Sequence, residues 1–114
     1  MLTIEELKKY GANTDEGLKR CVNNEALYLR LVKMVLNNDG FQKLEDAINA
    51  HDLDAAFQAA HGLKGIAANL SLTPLLTPVS EVTELLRARQ EADYLKYLSI
   101  IKEEKNKLEL ICKD

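Results

Sequence analysis

A chain of 114 residues has the length of one domain and is long enough to bury a real core. Its net charge of −3 comes with no basic run, which argues against a nucleic-acid footprint, and no apolar stretch nears the ~20 residues of a membrane span. With 46% hydrophobic but only 5% aromatic residues, and only two prolines, the composition suits long helices packed through Leu, Ala, Val and Ile.

The first predicted helix runs from Thr3 to Tyr10, opened by a capping box of Thr3 with Glu6 and closed by Gly11. A short helix from about Asp15 to Val22 follows, capped by Asn13 or Thr14. Asn23 or Asn24 caps the next, where Leu27, Leu31, Met34 and Val35 form an apolar stripe with Tyr28 alongside. The cluster Asn37-Asn38-Asp39-Gly40 is a turn. Phe41, Leu44 and Ile48 then mark a helix up to Ala50, and His51-Asp52 opens the longest apolar repeat so far.

From Asp52 as N-cap, Leu53, Phe57, Ala60, Leu63, Ala67 and Leu70 recur at steps of three and four, with Ala56, Ala59 and Ile66 widening the stripe. At roughly 100° per residue, His61 lies about 140° from the centre of that stripe, beside Gln58 and Gly65. His61 is therefore expected to face water or a partner. Lys64 sits at the edge of the same face. Gly65 lies one turn beyond the histidine, so its missing side chain clears the approach to the imidazole.

Beyond Leu70 the chain turns through Ser71-Leu72-Thr73-Pro74, with Thr73 as N-cap and Pro74 at the first helical position. Pro78 then bends the first turn of a helix carrying Val79, Val82, Leu85 and Leu86 to about Arg89, unless Thr77 is the cap instead. The last helix starts near Asp93 and runs through Leu98, Ile101, Leu108 and Ile111. No segment alternates with period two, so no sheet is expected. The resulting fold class is all-α: an antiparallel, up-down-up-down four-helix bundle of helices near 39–50, 52–70, 74–89 and 93–112. In it, N-terminal helices within 3–37 cover one end, and all 114 residues make one domain.

The run His61-Gly62-Leu63-Lys64-Gly65 resembles the His-x-Leu-Lys-Gly core of histidine-containing phosphotransfer (HPt) domains. The flanking Ala59-Ala60 and Ala67-Ala68-Asn69-Leu70 are similar to that family too, as are Asp15-Glu16-Gly17-Leu18-Lys19-Arg20 and Tyr28-Leu29-Arg30-Leu31 upstream. Two residues depart from it: Ser71 stands where the family often has glycine, and Ile66 where a small residue is common.

The resemblance implies a phosphorelay intermediate in two-component signalling. His61 would accept a phosphoryl group and exchange it with the aspartate of a response-regulator receiver domain. Lys64 would offset phosphate charge, Gly65 would admit the partner's loops and Gln58 could orient the imidazole. The partners would be a receiver domain, a hybrid sensor histidine kinase, or both. The chain itself would bind no cofactor and no metal, the Mg²⁺ residing on the receiver domain.

The residues themselves agree with a carrier without an active site of its own. They hold no phosphate loop, no nucleophile elbow and no paired metal-binding histidines. His51 reads as a polar connector, and Cys21 and Cys112 as reduced thiols. A cytoplasmic monomer is expected, and the opening Met1 with a capped helix favours a free-standing protein over a fragment of a larger kinase. The competing reading is a helical interaction module that keeps the bundle and transfers nothing.

Overall fold

The computed structural model describes residues 1–113, which form seven helices and, among those residues, no strand. They are α1 (Ile4–Tyr10), α2 (Thr14–Arg20), α3 (Glu25–Val35), α4 (Gly40–Asn49), α5 (Leu53–Asn69), α6 (Thr73–Arg87) and α7 (Tyr94–Cys112). Side-chain caps open five of them. Thr3, Asn13, Asn24, Asp52 and Asp93 each accept a hydrogen bond from the backbone N–H three residues on. The cap alternatives near α2 and α3 thus resolve to Asn13 and Asn24.

Helices α4 to α7 make the predicted four-helix bundle. α5 packs between α4 and α6, and α7 closes the ring against both of those neighbours. The buried stripe of α5 is Ala56, Ala60, Leu63 and Ala67, three of them alanines, so its neighbours approach closely. Leu44, Leu75, Val79, Val82, Leu86, Leu98, Ile101 and Leu108 complete the interior. Leu53 and Phe57 are only half-buried, at the edge of the stripe.

The N-terminal helices close the end of the bundle at the α5–α6 turn. Asn13 N–H donates to Ser71 O at 3.0 Å, and the buried Tyr28 hydroxyl donates to Leu70 O at 2.9 Å. Burial pushes the Tyr28 phenol up to about 12, so it stays a donor well into the alkaline range. Gly17 makes this contact possible, since a Cβ there would lie 2.5 Å from the Tyr28 ring and hydroxyl. Gly17→Ala gains about 1 kcal/mol of helix propensity but crowds a ring pinned at its far end. Overpacking of this kind costs roughly 1–3 kcal/mol. A net loss of stability is therefore expected in urea unfolding, and a more stable variant would contradict this packing.

Three boundaries differ from the sequence reading. α2 ends at Arg20, two residues short of Val22, because Val22 and Asn23 turn into the left-handed region at φ 49° and 58°. α6 begins one residue early. The cap is Leu72, whose carbonyl accepts from both Leu75 and Leu76 N–H, so Thr73 and Pro74 are already helical. The helix then runs through the buried Pro78, and the Thr77 hydroxyl donates to Thr73 O at 3.1 Å beside the missing N–H. It stops at Arg87, since Arg89 adopts φ 53° and Gln90 N–H returns to Leu85 O.

Candidate functional site

His61 is the central residue of α5 and is exposed. The helical direction of side chains decides what surrounds it. Each Cα–Cβ bond leans toward the helix N-terminus, so a side chain lies over the turn before its own Cα. His61 therefore leans onto Phe57, and their rings stack with centroids 5.6 Å apart and planes 21° from parallel. The residue that would lean over His61 in the same way is position 65, and it is glycine. A Cβ built at Gly65 meets nothing within 4 Å, and the same holds at Gly62. The imidazole has a ring beneath it and open space above.

The open space at Gly62 and Gly65 carries a physical implication. Glycine in a helix interior costs roughly 1 kcal/mol relative to alanine. Gly17 earns its place by a close approach, but nothing in the fold demands glycine at 62 or 65. Their cost is unexplained by packing within this chain and is explained if a second molecule comes close at this face.

Lys64 is partly exposed and donates to Glu84 of α6 at 3.3 Å, and Glu84 also pairs with Arg87 at 3.2 Å. Hydrogen bonds from Lys64 and then Arg87 hold the Glu84 carboxyl below the usual carboxylate range, so it remains charged. Arg87 lies over the Phe57 ring at 5.0 Å and Arg89 at 5.9 Å from its centroid. Arg89 also pairs with Asp54. Gln58 is exposed, one helical step from His61. Among the described residues no hydrogen bond joins it to the imidazole, and the ring partner is Phe57. On the α4 side, an open groove of about 640 Å³ runs beside the helix, with Gln58, Ala59, Gly62, Leu63 and Ile66 among its walls.

The structure thus brings His61, Lys64, Gly65 and Gln58 onto one surface, as the spacing predicts. Sequence reasoning missed Phe57, Glu84 and Arg87. Phe57 was assigned to the buried stripe, although its i, i+4 relation to His61 was the available signal. Glu84 and Arg87 come from another helix and have no local signal.

The four helices that build and surround this surface also carry a family signature. A family model described as Hpt domain matches residues 37–110, the whole stretch from the α3–α4 turn to near the end of α7. The chain belongs to the Hpt domain family. The curated proteins and the solved structures give no match. Membership implies a phosphotransfer role in a two-component phosphorelay, in which an Hpt domain carries the phosphoryl group rather than acting as an enzyme. No helix among the described residues is long and apolar enough to cross a membrane. Among the same residues, no group of three or more His, Cys, Asp or Glu side chains is placed to hold a metal ion.

Proposed function

We propose that this Hpt domain is a relay intermediate that accepts a phosphoryl group on His61 and exchanges it with the aspartate of a response-regulator receiver domain. The single observation that carries the reading is the exposed imidazole at the middle of α5 with empty space over Gly62 and Gly65. In the forward step, a lone pair on an imidazole nitrogen attacks phosphorus of the partner's acyl phosphate. The bond from phosphorus to the carboxylate oxygen breaks, and the carboxylate leaves with the electron pair. The reverse step returns the group to an aspartate. Transfer of this kind depends mostly on alignment and charge stabilisation, which the partner and its Mg²⁺ supply in large part. The whole chain serves as one cytoplasmic module, and a sensor kinase of the hybrid type is the other natural partner.

Lys64 supplies the local charge. Its pair with Glu84 is exposed at the surface, and such pairs are weak. A phosphoryl group on the neighbouring His61 competes for the same ammonium with up to two negative charges. Lys64→Ala is expected to shorten the phosphohistidine lifetime several-fold, and Glu84→Gln to lengthen it by freeing Lys64. Equal lifetimes in all three proteins, followed by phosphate release, would remove Lys64 from the site.

Incubating the protein with a phosphorylated receiver domain tests the function itself. The expected product carries a phosphate that is labile in acid and stable in base, as a phosphoramidate is. A chain that binds the receiver and takes no label would be an interaction module instead.

A further inference from the structure

We infer that Phe57 is a positioning residue for His61, and that α6 holds it in place through Arg87 and Arg89. This rests on the reading of His61 as the acceptor and extends it to how the imidazole is aimed. An exposed histidine on a helix samples several side-chain rotamers, and only some point a ring nitrogen along the line a partner's phosphorus must take. The structure restricts that freedom from one side. The Phe57 ring lies under the imidazole, 5.6 Å between centroids and 21° from parallel, an arrangement within the range for stacked aromatic pairs.

Phe57 is itself pinned. It is half-buried at the α5–α6 seam, and two guanidinium groups approach its ring at 5.0 and 5.9 Å. Each guanidinium is tethered by an acid. Arg87 pairs with Glu84, which also grips Lys64 of α5, and Arg89 pairs with Asp54, one turn before Phe57 on α5. Arg89 is further fixed by its backbone, in the left-handed region at the end of α6, where its N–H closes onto Leu86 O. These links tie α6 to α5 on both sides of the ring. With Gly65 leaving the opposite side open, the imidazole has one supported orientation and one free approach.

The test uses the whole chain and two substitutions. Phe57→Leu keeps apolar bulk and removes the ring; Phe57→Tyr keeps the ring. The first readout needs no phosphoryl donor: the ring-proton shifts of His61, which a stacked neighbour displaces upfield. The second is transfer from a phosphorylated receiver domain, with kcat and KM measured separately. Phe57→Leu is expected to move the His61 ring protons downfield and lower kcat by roughly tenfold with little change in KM, since misalignment of an ångström can cost more than that. Phe57→Tyr is expected to match the unmodified protein in both.

Unmoved His61 shifts, an unchanged kcat, a loss confined to KM, or a tyrosine variant as impaired as the leucine one would each overturn the proposal. If Phe57→Leu does not fold, Arg87→Gln, at an exposed site, must shift the His61 protons and slow transfer in its place; if it does neither, the proposal falls. A His61→Gln protein that still takes label would overturn the acceptor reading alone, leaving the ring-shift result to judge Phe57.

Discussion

Replacing His61 with glutamine is expected to drop phosphoryl labelling by a receiver domain to background while leaving the helical signal intact. The two halves of that result have separate causes. Glutamine keeps a polar, helix-compatible side chain at an exposed position, so the fold loses only the stack on Phe57, worth roughly 0.5–1.5 kcal/mol. The chemistry loses its nucleophile, because an amide nitrogen has no basic lone pair to offer phosphorus. No second imidazole stands on this face to substitute. His51, the other histidine, lies at the α4–α5 turn and not on this face. Undiminished labelling of this variant would refute the assignment.

Gly65→Gln is expected to move stability and transfer in opposite directions. Nothing within 4 Å opposes a Cβ at position 65, so the helix gains roughly 0.5–1 kcal/mol from the better helix former. In a domain of this size that is a rise of about 2–6 °C in melting temperature. The new side chain leans toward the N-terminus, over His61, and fills the approach the partner needs. Transfer should fall by about one to two orders of magnitude, the scale on which small misplacements act. Gly65→Ala serves as the control, since a single methyl brings at least the same stability and little obstruction. A glutamine variant that is more stable and transfers normally would mean that this face is an ordinary helix surface.

The opposite sign at Gly17 shows why glycines in a sequence do not read alike. All three sit within helices, where propensity alone says that alanine is better. At Gly17 the Tyr28 ring occupies the space; at Gly62 and Gly65 there is nothing. Only tertiary packing separates a structural glycine from one that keeps a surface clear.

The helical architecture was legible because it is written in local signals. Polar caps such as Asn13, Asn24, Asp52 and Asp93 and the three-and-four spacing of Ala56, Ala60, Leu63 and Ala67 each act within one turn. The exposure of His61 follows from the same geometry. The overextended helix ends share a cause that the early start of α6 does not. The two C-terminal ends read too far along, at Val22 and Arg89, lie where those residues take the left-handed conformation that sequence rules reserve for glycine, so the usual stop signal is missing. Ser71 is instructive. At φ 55° it occupies a position where glycine would be unstrained, which accounts for the family's preference, and its hydroxyl donates to Glu16 instead. Phe57 was misread because periodicity records that a residue is apolar, not that its ring stands at a helix seam. The Lys64–Glu84–Arg87 chain joins residues 20 apart in sequence at its first link, beyond any local pattern.

The most direct measurement is the nuclear magnetic resonance spectrum of the phosphorylated chain, with side-chain nitrogen labelled and phosphorus coupling observed. The account predicts coupling of phosphorus to a ring nitrogen of His61, with the His51 ring unchanged. Coupling to His51, or a phosphate on a side-chain oxygen with both imidazoles unaltered, would contradict it.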